Sequence, residues 1–172
     1  MTTEHIFIRL LNQYEQLSNQ HDIDGCVALF SPDGIIVMGG EAYQGEKSIR
    51  EAHEYDRESR TQVRFSDFEI EENLVRCSFW NEHQLSRVIG TGGTIGTAEF
   101  IFQDSKIQKF NILPPDLAER QRIMEKAAPV FQWLRENYPD TVAKWKGFDS
   151  SAGKAIFELA ELWQTHLADK QS

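Results

Sequence analysis

At Val63 the hydrophobic period of this chain changes from helical to alternating, and few folds accommodate that order. Upstream, Phe7, Leu10, Leu11, Tyr14 and Leu17 recur at three and four and mark one face of a helix from Ile6. Ile23, Cys26, Val27 and Phe30 mark a second, short helix from Asp22, which Ser31-Pro32-Asp33-Gly34 should end in a turn. Ile35 to Met38 reads as a short buried strand, with a small strand at Ala42 to Gln44 behind it. A third helix opens at Gly45, where Ile49, Ala52, His53 and Tyr55 or Asp56 keep helical spacing to Arg60. Helices followed by a run of alternating strands and short turns predict an α+β domain.

The strand region carries its own detail. Val63 and Phe65 alternate with polar residues, then the phase slips at Ser66-Asp67 so that Phe68 and Ile70 carry the apolar set, as a β-bulge would make it do. After a turn at Glu71-Glu72-Asn73, Val75, Cys77 and Phe79 share one strand face, while Arg76, Ser78 and Trp80 share the other. Thr91-Gly92-Gly93 to Gly96 is glycine-rich, but a strand rather than a helix follows it and no lysine accompanies it. It therefore reads as a flexible hairpin or wide turn and not as a phosphate cradle. Asp104-Ser105 joins Thr97–Gln103 to Lys106–Leu113. A two-residue hairpin there places Glu99 opposite Phe110 and puts Glu99, Ile101, Phe110 and Ile112 on one face.

Pro114-Pro115 stops the sheet, and Asp116 with Glu119 starts a helix running toward Glu136. A short segment through Trp145 follows. A last helix carries Ile156, Leu159, Ala160, Trp163 and Leu167 at helical spacing. The expected division is a sheet-and-helix domain over residues 1–113 and a helical extension over 114–172. Trp133, Trp145 and Trp163 give that extension more apolar area than it can bury alone, so it must pack on the domain or on a partner subunit.

Charge and cysteine usage exclude several functions. Eighteen basic against 27 acidic side chains give a net charge of −9, and residues 1–113 hold 10 of the former and 18 of the latter. Such a surface repels phosphate backbones, so nucleic acid is not an expected partner. No apolar run approaches the roughly 20 residues a membrane span needs, and the N-terminal residues lack the basic segment of a secretory signal. A cytoplasmic, membrane-free protein is expected. Cys26 and Cys77 are the two cysteines, without CxxC or Cys/His spacing, and read as free thiols. No HxH or HExxH spacing offers a metal site, and neither metal nor other cofactor is expected.

With this element order on the page, the segment Tyr14-Glu-Gln-Leu-Ser-Asn-Gln-His-Asp-Ile-Asp-Gly-Cys-Val-Ala-Leu-Phe30 resembles the corresponding region of ketosteroid isomerases at matching spacing. Pro32-Asp33-Gly34, Tyr43-x-Gly45-x-x-x-Ile49 and Asp104-Ser105-Lys106-Ile107 extend the resemblance to the NTF2-like superfamily, which includes the SnoaL-like cyclases. The resemblance implies a cone, in which a curved antiparallel sheet wraps the N-terminal helices around a pocket. It also implies a small apolar ligand and a homodimer. Tyr14 stands where those isomerases place a tyrosine that donates to a developing enolate oxygen. Their general-base carboxylate falls on Met38, which cannot abstract a proton, and their second acid falls at Ala98 or Glu99.

The candidate site residues follow. Tyr14 and Glu99 are the catalytic candidates, Glu99 because apolar neighbours would disfavour its charged form. The blander readings are a core tyrosine and an exposed strand carboxylate. Met38, Trp80 and Phe110 are candidates for a ligand wall, with plain core packing as the alternative. His53 and His83 can act as general bases, but both read better as solvated residues at element ends. Two functions remain: a SnoaL- or isomerase-type enzyme without a cofactor, and a noncatalytic ligand-binding or dimerisation module.

Overall fold

A computed structural model describes residues 3–171. The elements run α1 (Thr3–Asn19), α2 (Ile23–Ala28), β1 (Phe30–Met38), β2 (Glu41–Gln44), α3 (Gly45–Glu58), β3 (Gln62–Glu71), β4 (Leu74–Glu82), α4 (Gln84–Ile89), β5 (Thr94–Gln103), β6 (Lys106–Ile112), α5 (Leu117–Asn137), α6 (Pro139–Lys144) and α7 (Ser150–Gln171). The six strands form one curved sheet in the order β2-β1-β6-β5-β4-β3. It is mixed rather than wholly antiparallel, because β1 runs parallel to β6 while every other pair is antiparallel.

Three register shifts bend the sheet. One lies in β3 between Ser66 and Glu69, where Asp67 takes φ 54°, as the phase slip in the sequence implies. The second lies in β1 between Phe30 and Ile35. Ser31-Pro32-Asp33-Gly34 is thus an excursion inside a strand and not the stop of α2, which ends earlier with Leu29 as its C-cap. The third lies between β5 and β6. Asp104 and Ser105 make the expected two-residue turn, both at positive φ, and pair Phe102 with Ile107. Gln108 is then left over, so that Ile101 faces Lys109 and Phe100 faces Phe110.

The concave face is largely apolar: Val63, Phe65, Val75, Cys77, Phe79, Ala98, Phe100, Phe102 and Phe110 are buried there with Phe7, Leu11 and Tyr14 of α1. Phe7 stacks on Phe102 with centroids 4.3 Å apart, and Phe100 stacks on Phe110 at 4.4 Å. Edge strand β3 would leave backbone groups unpaired, and α1 supplies their partners. The Asn19 amide bonds Val63 N (2.8 Å) and O (2.9 Å), and a Glu15 carboxylate oxygen accepts from Phe65 N at 2.7 Å. These three bonds fix the rotation of α1 and so aim Tyr14 at the sheet.

A second core lies between α3, α4 and the C-terminal helices. Leu85, Val130, Leu134, Ala152, Ile156, Leu159 and Ala160 are buried in it with Tyr55. Helix α4 is absent from the sequence reading, although Leu85, Val88 and Ile89 stand at helical spacing. It forms because His83 and Ser86 make a reciprocal cap at its start and Gly90 (φ 78°) ends it. Basic side chains of α5 hold the glycine-rich loop by its carbonyls. Arg122 donates to Thr91 O and Gly93 O, and Lys126 to Gly90 O. Carbonyls that face cations in this way do not form an anion cradle.

Candidate functional site

Between α1, α3 and the concave sheet lies a cavity of about 160 Å³. Its walls are largely apolar, with Ile36, Met38, Phe65, Phe79, Phe110 and Ile112 among them, and its polar lining residues include Tyr14, Ser18, His53, Asp56, Asn81 and His83. A space of that size matches cavities known to hold a benzene-sized molecule.

Tyr14 is 2 % exposed, and its ring meets Phe30 and Phe110 edge-on, each at 5.7 Å. Its hydroxyl lies 3.4 Å from His53 Nε2. On the other side of that imidazole, Nδ1 is 3.7 Å from a carboxylate oxygen of Asp56, one helical turn along α3. That distance is ion-pair range and too long for a direct hydrogen bond. A carboxylate beside Nδ1 favours the tautomer protonated there, which leaves Nε2 to accept the Tyr14 proton. Burial, reinforced by Cys26 and Asp56, raises the Tyr14 pKa well above the ordinary phenol value, so the residue persists as a neutral donor.

His83 also lines the cavity. Its Nδ1 accepts from Ser86 N at 3.1 Å, so a neutral ring carries its proton on Nε2. Burial, with Arg87 nearby, pushes its pKa down to about 4, and it stays uncharged at neutral pH. The two imidazoles therefore differ: His53 presents an acceptor and His83 a donor. Among the described residues, no group of three or more His, Cys, Asp and Glu could hold a metal ion.

The expected site residues divide. Tyr14, Met38 and Phe110 line the cavity together. Glu99 and Trp80 do not, and for both the expectation is corrected. The residue left over at Gln108 turns Phe110 toward the cavity while Glu99 stays on the outer face, opposite Asn111. There Glu99 accepts from Arg76 at 2.8 and 3.1 Å. The Arg76 bonds, outweighing partial burial, lower its pKa, the reverse of the raised value expected of an acid in an apolar site. Trp80 lies on the outer face with Arg64 over its ring at 5.2 Å, and its indole N–H donates to Gly92 O at 2.9 Å. It holds a loop and walls no ligand space.

His53 is the residue sequence reading undervalued. It is 4 % exposed, not solvated. The signal was its place on the apolar face of α3 with Ile49 and Ala52, three residues before Asp56.

No known protein family profile matches the chain, and no curated protein is similar to it in sequence. Solved structures are similar in shape. SalBIII, an epoxide hydrolase/cyclase-like enzyme with a role in pyran ring formation in salinomycin, aligns with a TM-score of 0.59 at 14 % identity, over 69 % of this chain and 97 % of that one. An NTF2-like protein of unknown function from Cytophaga hutchinsonii aligns with a TM-score of 0.50 at 7 % identity, over 60 % and 85 % of the two chains. The fold is NTF2-like. A Mycobacterium tuberculosis protein solved in complex with estradiol-17β-hemisuccinate shares it, with a TM-score of 0.53 at 13 % identity over 65 % of this chain and 95 % of that one. Each of these neighbours is matched over most of its own length, so the NTF2-like cone carries additional chain here. No helix among the described residues is long and apolar enough to cross a membrane.

Proposed function

We propose that the cavity of this NTF2-like protein binds a small apolar molecule bearing an oxygen function and transfers a proton on it without a cofactor, in the manner of SnoaL- or isomerase-type enzymes. The observation that carries this reading is the Tyr14 hydroxyl within 3.4 Å of His53 Nε2, both buried and both lining a largely apolar cavity. In this scheme His53, positioned by Asp56, takes the proton from a carbon next to a carbonyl, and the Tyr14 hydroxyl donates to the oxygen on which negative charge develops. His53 thus takes the part that a carboxylate at position 38 plays in the resembling isomerases.

The test is deuterium exchange at the α-carbon of 1-indanone in D2O, followed by proton NMR. The intact protein should accelerate exchange, His53→Gln should lose on the order of 10²-fold or more, and Tyr14→Phe should lose a comparable factor. Binding of indanone without any accelerated exchange would support the alternative, a noncatalytic ligand-binding or dimerisation module, for which Met38 and the outward Glu99 already speak.

We place the cone at residues 1–113 and the extension at 114–172; the extension supplies most of the second core, to which the cone contributes Tyr55 and Leu85. Buried free thiols at Cys26 and Cys77 fit a reducing, cytoplasmic setting. Ile95, Leu117 and Met124, 56 %, 63 % and 49 % exposed, favour a homodimer, which sedimentation at increasing concentration tests.

A further inference from the structure

Among the residues that line the cavity, Phe148 alone comes from the chain beyond the last strand. It sits in the strap between α6 and α7. Trp145 is the C-cap of α6, Gly147 reverses the chain at φ 74°, and Asp149 accepts from Ala152 N at 2.9 Å to cap α7. Both aromatic residues of the strap face the site. The Trp145 ring meets the cavity residue His83 edge-on at 6.2 Å. The Phe148 ring meets Tyr55, another cavity residue, at 5.0 Å and Tyr43 of β2 at 6.0 Å.

On its remaining side Phe148 covers the β1–β2 turn. A Cβ at Gly39 would stand only 3.2 Å from its ring. The ring is thus held between Tyr55 of α3, Tyr43 of β2 and the β1–β2 turn at Gly39. A phenyl group fixed in this way is a wall. It differs in kind from the strands opposite, whose lining side chains cannot retreat without breaking the sheet.

We infer that Phe148 determines the specificity of the cavity by setting the length of apolar molecule it admits. This rests on the reading of the cavity as a small-ligand site. The end of the ligand carrying oxygen meets Tyr14 and His53, and its apolar end stops at the Phe148 ring. The substrate class is therefore compact, of about one ring, and not an extended polycycle.

The experiment is calorimetric titration of the full chain with 4-alkylphenols from 4-methylphenol to 4-octylphenol. Wild type, Phe148→Ala, Phe148→Leu and Tyr14→Phe are compared, with melting curves confirming that each is folded. Each buried methylene is worth about fourfold in affinity. In the wild type that increment should stop after the first few members. In Phe148→Ala it should continue to longer members, with Phe148→Leu intermediate. Tyr14→Phe should weaken all members alike and leave the cut-off where it was. The same cut-off in wild type and both Phe148 variants would overturn the inference while leaving the cavity reading intact. Failure of every folded variant, and of the wild type, to bind any member would overturn the cavity reading and this inference with it.

Discussion

Replacing Gly153 by alanine should destabilise the protein, although alanine is the better helix former. A Cβ built there would stand 2.6 Å from the Tyr55 carbonyl oxygen and 2.9 Å from the Glu58 Cβ. Ordinary carbon contacts lie at about 3.5 Å or more, so the second approach alone is short by about 0.6 Å. The carbonyl cannot yield easily, because it already accepts from Ser59 N at 2.9 Å and Ser59 Oγ at 2.7 Å. Helix α7 must instead move off α3. Overpacking of this kind costs about 1–3 kcal/mol, and the gain in helix propensity offsets about 1 kcal/mol of it. A net loss of up to about 2 kcal/mol lowers the midpoint of a domain of this size by up to roughly 8 °C. Calorimetric melting of both proteins at one concentration measures it. A midpoint that rises by the propensity gain would refute the close seating of α7 on α3, and with it the placing of the strap.

Three further outcomes follow from the buried and paired groups. His83 has a folded pKa of about 4 against about 6.5 unfolded, so between those values the unfolded chain binds the extra proton. Stability should therefore fall as pH drops from about 6.5 to about 4, by at most about 3 kcal/mol from this group. His83→Asn, which can still cap α4, should flatten that limb in urea melts, and an unchanged limb would exclude the assignment. Glu99→Gln removes an exposed ion pair with Arg76 and should lower the unfolding free energy from urea melts by no more than about 1 kcal/mol, whereas a larger loss would place that carboxylate in a more demanding role. Burial pushes the Cys26 and Cys77 thiols up to about 12, so neither should react with Ellman's reagent at pH 8 until the protein unfolds, and fast labelling of the native protein would contradict their burial.

The helical face of α1, the β3 bulge and the Asp104-Ser105 turn were legible because each is set by neighbours in sequence. Tyr14 and Phe110 were therefore assigned to the site with no long-range information. Glu99 and Trp80 were misplaced for a related reason. Period two says which residues share a face within one strand, but which faces coincide across a hairpin depends on every residue between them. One uncounted residue at Gln108 moved Phe110 away from Glu99. The His53 imidazole is hard to judge from sequence because it packs on Tyr14 and Phe30, 39 and 23 positions distant in the chain. Phe148 lies further still from its contacts, and no local pattern marks it as part of a cavity.

The two cores meet at α3, whose His53 and Asp56 line the cavity while Tyr55 both lines it and packs with the C-terminal helices. One helix thus serves two cooperative units, and the less stable of them can open while the other holds. If the C-terminal unit opens first, the amides of α7 exchange with solvent before those of α1 and the central strands. The cavity then loses its Phe148 side but keeps its proton-transfer groups in register. Access to the interior becomes a sub-global unfolding equilibrium, and a compound that binds inside should slow hydrogen exchange along α7, a helix with no residue in the cavity wall.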